Sequence, residues 1–228
     1  MNNILKRAIA VIVGMCLIIT ALFIAVAAYA FNLQFFASEF EKNDTYQCVN
    51  IEKSELDMVA AQLIGYIGGW ESELNISAVV NGEERMFFSE REIEHMADVK
   101  AIFDVFKIIA LIAACILIVC IICYKRKGNV RMLAKYMLIT ILSVTSAMLL
   151  FVILCIIDFN SMFTLFHKVF FTNDLWLLDP ATELLINIVP LPFFIDIAAG
   201  IGIVFGIMMA VSSVVLWHLL KKSKRRTV

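Results

Sequence analysis

FSEREIEHMADVKAIFDVFKIIALIAACILIVCIICYKRKGNVR, residues Phe88 to Arg131, decides the fold. Its centre, Val105 to Tyr124, has one charged residue, Lys107, in about the 20 residues that cross a hydrocarbon core as a helix. The run is acidic before this centre and basic after it, at Lys125, Arg126, Lys127 and Arg131, so the Tyr124 end is cytoplasmic and the Asp104 end faces out.

Runs of similar length recur at Ala8 to Ala30, Leu133 to Ile157 and Ile195 to Trp217. Lys6 and Arg7 precede the first run, and Lys221, Lys222, Lys224, Arg225 and Arg226 follow the last, so alternation places both termini in the cytoplasm. Phe31 to Asp104 carries fifteen carboxylates against five Lys or Arg. Asp158 to Phe194 carries four carboxylates against Lys168 alone. The remaining carboxylate, Asp196, sits at the outer end of the last run. A formal net charge of -1 thus hides a dipolar split. The basic clusters sit where they hold helices against anionic inner-leaflet lipid, which argues against nucleic acid as a partner.

The first run exceeds the usual h-region of about 7–15 residues and reads as an uncleaved anchor. Five of six cysteines lie in or at the ends of the apolar runs and Cys48 is alone outside, so no disulfide framework is expected. Cys120 and Cys123 have CxxC spacing without a βαβ setting and read as helix-packing residues. The expected fold is an all-α four-helix transmembrane bundle with a small extracytoplasmic α+β cap. Its expected segments are 1–30, the tail and first span; 31–104, the cap; 105–157, the second and third spans with their cytoplasmic loop; 158–194, an interfacial outer segment; and 195–228, the fourth span and basic tail.

In the first outer segment, Ser54 and Asp57 suggest a capping box, and Leu56, Val59, Ala60, Leu63, Ile64 and Ile67 repeat at helical spacing up to Gly68-Gly69. Asn81-Gly82 between two β-favouring runs predicts a hairpin. Ser89 and Glu92 form a second capping box, opening a helix that carries His95 and continues into the second span. In the second outer segment, Phe159, Met162, Phe163, Phe166 and Phe170 make an aromatic helical face, with His167 beside it. Trp176 is expected as an interface anchor, and Asp179-Pro180 as the start of a short helix ending near Pro190. Gly202 and Gly206 form a GxxxG pattern expected to pack closely on another helix.

His95 lies about ten residues before the second span and His167 about ten after the third, so antiparallel helices can bring them to one depth. That is the geometry of an acid/base pair at a membrane surface, although each also reads as an ordinary interfacial histidine. His218, beside Trp217, reads as an interface residue. Glu92 and Asp98 are the i-3 and i+3 neighbours of His95, placed to hold its imidazole, while a solvated charged face is the plainer reading. Glu92-x-x-His95 has di-metal spacing but no second copy, HExxH is absent, and no Gly-x-Ser-x-Gly elbow supports a serine nucleophile. No metal and no cofactor is expected.

At these residues the chain resembles a family. Phe88 to Val99, then Phe166-His167-Lys168-Val169-Phe170-Phe171, then Asn173 to Pro180 resemble the bacterial lipoprotein intramolecular transacylases, four-span membrane proteins. The resemblance implies a diacylglyceryl-modified lipoprotein substrate within membrane lipid. It implies transfer of the sn-2 acyl chain to the α-amino group of the lipidated N-terminal Cys, giving a lyso-form lipoprotein. It also implies that His95 and His167 are the catalytic pair; Asp98, Glu92, Arg91 and Trp176 are expected beside them as supporting positions from their place in the sequence, with Arg91 as a candidate oxyanion donor. The implied setting is the bacterial cell membrane, multi-pass, with the active site at the outer face. Ester and amine belong to one molecule, so proximity supplies up to about 7–11 kcal/mol. Proton traffic remains, and two histidines provide it, in either assignment of base and acid. The alternative reading is a non-enzymatic scaffold or lipid-binding module whose outer cap meets a partner. A transporter fits less well, since no inverted repeat is evident.

Overall fold

The computed structural model describes residues 3–225; Arg226 of the basic tail lies outside them, as do the side chains of Lys224 and Arg225. In chain order the elements are α1 (Asn3–Ala30), α2 (Leu33–Lys42), α3 (Thr45–Val49), α4 (Lys53–Gly68), β1 (Ser77–Val80), β2 (Glu83–Met86), α5 (Glu90–Arg126), α6 (Val130–Ile157), α7 (Phe159–Phe170), α8 (Leu185–Ile188) and α9 (Leu191–Arg225). They divide into two compact units, one of residues 1–26, 106–157 and 201 onward, the other of residues 27–105 and 158–200.

The first unit holds the apolar lengths of α1, α5, α6 and α9, four helices long and apolar enough to cross a membrane. Small residues of α1, Ala10, Val13, Ala21 and Ala25, share a buried cluster with Leu133, Ala134, Met137 and Ile141 of α6 and Phe205 and Met209 of α9. α1 and α6 approach closely at Gly14, where a Cβ would come within 2.9 Å of the Thr140 side chain. Gly202 and Gly206 do not play this part. Nothing lies within 4 Å of the Cβ position at either. Ile203 and Ile207 beside them are exposed, so the GxxxG pattern looks out of the unit. Near the charged ends, the Tyr124 hydroxyl donates to the Lys6 carbonyl at 2.6 Å, giving a buried phenol its partner.

The second unit is a small α+β assembly. α4 buries Leu56, Val59, Ala60, Leu63, Ile64 and Ile67, the expected stripe, and ends at Gly69, whose φ of 83° is the left-handed cap that glycine allows. Its start differs from expectation: the helix begins at Lys53, so Ser54 is internal, and Asp57 accepts from the Tyr46 hydroxyl at 3.2 Å. β1 and β2 pair antiparallel, Ser77 opposite Met86, across Asn81-Gly82. Both turn residues have positive φ, 56° and 80°, as a two-residue hairpin loop requires. The buried inner face of β1, Ala78 and Val80, joins Phe36, Phe40, Leu56, Leu74, Phe87, Leu185, Ile188 and Phe193 in one core. Lys100 of α5 donates to the Tyr66 carbonyl at 2.5 Å and the Glu71 carbonyl at 3.1 Å, satisfying acceptors at the end of α4. The helix expected from Asp179 to Pro190 is mostly turn. Asp179 Oδ1 accepts from the Ala181 amide at 2.9 Å, and only Leu185–Ile188 is helical.

Candidate active site

The site is built inside the second unit from the first turns of α5, the end of α7 and the loop that follows it. The capping box forms as expected: the Ser89 amide donates to Glu92 Oε2 at 2.6 Å and the Glu92 amide to Ser89 Oγ at 3.3 Å. It starts the helix at Glu90 and turns the next exposed-to-buried boundary so that His95 is buried. Asp158 caps α7 by accepting from the Ser161 amide at 3.0 Å, and two turns later His167 is the buried residue of that helix.

The two imidazoles meet. Their ring centroids are 6.3 Å apart, at an interplanar angle of 31°. Phe171 lies against both rings, 5.1 Å from His95 and 5.5 Å from His167. Phe163 at 4.3 Å, Trp176 at 4.9 Å and Phe166 at 5.5 Å complete the wall around His167. Phe170 instead packs on Phe166, at 4.6 Å. Trp176, expected as an interface anchor, stacks on His167, and its indole Nε1 donates to the Asn173 carbonyl at 3.0 Å.

This apolar enclosure governs the protonation states. His95, in the part of α5 ahead of its apolar span, has its pKa lowered to about 4, first by burial and then by the nearby His167, against a weaker opposing pull from Asp98. His167 is lowered too, chiefly by burial, partly offset by its bond to the Phe163 backbone. Both rings are therefore neutral near pH 7. His167 Nδ1 lies 2.8 Å from the Phe163 carbonyl, and as that oxygen can only accept, Nδ1 carries the proton and Nε2 keeps its lone pair. His95 Nδ1 is buried with no hydrogen-bond partner.

The supporting residues have other partners than the sequence neighbourhood suggests. Neither Glu92 nor Asp98 bonds to His95. Glu92, fully buried, accepts from the Leu185 amide as well as from Ser89, and so ties α8 to the start of α5. Asp98 accepts from Asn173 Nδ2 at 2.8 Å. Arg91 donates to the Asp174 carbonyl and, at 3.2 Å, to the Leu177 carbonyl, and its Nε lies 3.7 Å from Glu183 Oε1. Through Nη2 and Nε its guanidinium thus holds a loop. Glu183, buried, also accepts from the Asp179 amide. Phe171, one of the phenylalanines expected around His167 with Phe163, Phe166 and Phe170 as the lining of a dry pocket, lies against both rings, whereas Glu183 has no place in the sequence-based expectation. The signal for Glu183 is a lone carboxylate in the stretch Ala181 to Val189.

Among the described residues, no group of three or more His, Cys, Asp or Glu side chains is placed to hold a metal ion. The arrangement offers two neutral bases side by side in an aromatic pocket.

The family model of the lipoprotein intramolecular transacylase Lit matches residues 11–194, which include both histidines. Among solved structures, the chain is similar to the membrane-integral lipoprotein intramolecular transacylase Lit from Bacillus cereus solved in meso, at 22% identity and a TM-score of 0.82, covering 99% of this chain and 100% of that one. It is likewise similar to the same relative carrying a histidine-to-arginine mutation, at 21% identity and a TM-score of 0.77 over 97% of this chain and 95% of that one. No curated protein matches the sequence. The structural likeness speaks for the fold and the family match for the lineage: this chain belongs to the lipoprotein intramolecular transacylase family.

Proposed function

We propose that the chain moves the sn-2 acyl group of a diacylglyceryl-modified lipoprotein to the α-amino group of the same molecule's N-terminal Cys, using His95 and His167. The observation that carries this reading is the pair of neutral imidazoles 6.3 Å apart inside an aromatic wall. Aminolysis of an ester moves one proton overall, from the attacking amine to the departing glyceryl oxygen. A free α-amino group titrates near about 7.7–8, so a fraction is neutral and nucleophilic at pH 7. His167 Nε2, the nitrogen left free by the Phe163 bond, takes the proton as the C–N bond forms. It returns that proton to the glyceryl oxygen as the C–O bond breaks.

His95 stays neutral through this cycle, because a second imidazolium next to the first is disfavoured by burial and by charge repulsion. Its ring polarises the ester carbonyl by hydrogen bonding. The wall of Phe163, Phe166, Phe171 and Trp176 keeps water from competing with the amine for the acyl group. With ester and amine in one molecule, binding supplies the alignment.

The distribution of charge supports an orientation with both termini cytoplasmic and the histidines at the outer face of the bacterial cell membrane, where a lipidated secreted protein resides. The test is mass spectrometry of lipoprotein N-termini from cells with and without this chain. An N-acylated lyso-form that appears only with the chain is the expected result. Diacylglyceryl species in both would overturn the reading in favour of a scaffold.

A further inference from the structure

A cavity of about 370 Å³ lies beside the histidine pair without including it. Phe171 and Trp176 form a wall common to both: each packs on the His167 ring, at 5.5 and 4.9 Å, and each lines the cavity. Leu177 adds to this apolar wall, and the polar remainder comes from Thr164 and Lys168 of α7 and from Thr172, Asn173 and Asp174 after it. The volume is within the range of about 300–1,000 Å³ typical of small-ligand sites.

Two features give the cavity a direction and a preformed shape. Leu165, Phe166, Val169 and Phe170 make the exposed apolar face of α7, and Thr164 and Lys168 sit on the far side of the same helix. A helix of this kind lies with its apolar face in lipid, so the cavity side points to the polar phase. The loop wall is held from behind, since Arg91 holds the Asp174 and Leu177 carbonyls and Asp98 holds Asn173. Among the described residues, the side chains of Lys168, Thr172 and Asp174 have no hydrogen-bond or ion-pair partner, leaving an ammonium, a hydroxyl and a carboxylate free to bind.

We propose that this cavity binds the peptide segment that follows the N-terminal Cys of the lipoprotein substrate, which rests on the transacylase reading above. The α-amino group reacting at His167 belongs to that Cys, so the chain leaving its carbonyl starts one aromatic ring from the cavity. A peptide backbone presents carbonyls for Lys168 and N–H groups for Asp174 and Thr172, whereas an acyl chain offers none of these exposed groups a partner. The site therefore recognises backbone and tolerates varied side chains.

The test uses the full chain in lipid nanodiscs and two synthetic substrates with the same diacylglyceryl Cys, one ending as the Cys amide and one continuing through four uncharged residues. Wild type should favour the peptide substrate in kcat/KM by about tenfold, the worth of one or two charge-assisted hydrogen bonds. Lys168→Met and Asp174→Asn should each reduce that ratio towards one through a higher KM for the peptide substrate, and Lys168→Arg should retain it. A wild-type ratio of one, or variants that slow both substrates equally, would overturn the peptide site while leaving the transacylase reading intact. Competition by phosphatidylglycerol vesicles that Lys168→Met relieves, with no effect of peptide length, would assign the cavity to a lipid headgroup and overturn it as well. Conversion of neither substrate by wild type would overturn the reaction and the inference together.

Discussion

The imidazoles of His95 and His167 lie 6.3 Å apart between centroids, and the ring of Phe171 packs against both of them. These residues are far apart in sequence and come from different helices, one at the start of α5 and one near the end of α7. Their shared burial is what keeps both rings neutral and their charges mutually exclusive, so the pair handles one proton at a time.

The protonation states are open to direct titration. With His95 at about 4 and His167 lowered by burial, NMR of isotopically labelled histidine should give midpoints for both below the usual value of about 6.5. Trp176→Ala admits water to His167 and should raise its midpoint towards that value. Because the unfolded chain binds these protons and the folded one does not, stability should fall as pH drops from about 6.5 towards 4, and recover as it rises. Wild-type midpoints at or above about 6.5 would contradict the buried neutral pair.

Arg91 makes no hydrogen bond to either imidazole, yet it holds the loop that carries Trp176. Arg91→Ala should lower kcat by about a hundredfold through misplacement of that loop, with a smaller change in KM. Arg91→Lys keeps the charge but cannot span two carbonyls and a carboxylate in one plane, so it should recover only part of the rate. A steady-state comparison of the three proteins checks this, and unaltered kcat in Arg91→Ala would remove the clamp from the account.

Glu92 acts on stability. Its carboxylate accepts from the Ser89 and Leu185 amides while fully buried, so Glu92→Ala strands two backbone donors and should cost about 2–4 kcal/mol. Thermal unfolding in a fixed detergent measures it. Glu92→Gln, which can still accept one bond, should lose less.

Much of this arrangement is legible in the sequence because it rests on local signals. Four apolar runs, the Asn81-Gly82 turn and the Ser89/Glu92 capping box each specify their geometry within a few residues, and each forms. Signals that depend on distant partners read less well. Ser54 suggests a cap, but the helix starts at Lys53 and Asp57 is used by Tyr46. Glu92 and Asp98 stand at helical spacing from His95, yet their oxygens go to Leu185 and Asn173, partners that only the tertiary fold supplies. Gly202 and Gly206 match a packing motif without a helix against them, whereas isolated Gly14 meets Thr140. The histidine pair is readable as two residues at similar depth, and Phe171 as one of the phenylalanines around His167; that the same ring also meets His95 depends on the tertiary fold.

Orientation follows from the basic clusters and can be read in intact cells. In a cysteine-free background, a Cys at Asn81 should react with a membrane-impermeant thiol reagent, and one at Asn129 should not. Both positions flank turns, so reactivity reports side rather than burial. Labelling at Asn129 alone would place His95 and His167 in the cytoplasm, away from a secreted lipidated substrate.

The central claim is that both imidazoles are needed for acyl transfer, and the most direct measurement is mass spectrometry of a lipoprotein N-terminus in cells that express His95→Ala, His167→Ala or His218→Ala at equal membrane levels. The first two should each lose the N-acylated lyso product, a fall of at least about 10²-fold, as expected when a proton-transfer group or a donor to the ester carbonyl is removed. His218→Ala, altered beside Trp217 and outside the site, should make it as wild type does. Full product formation by either His95→Ala or His167→Ala would contradict the account.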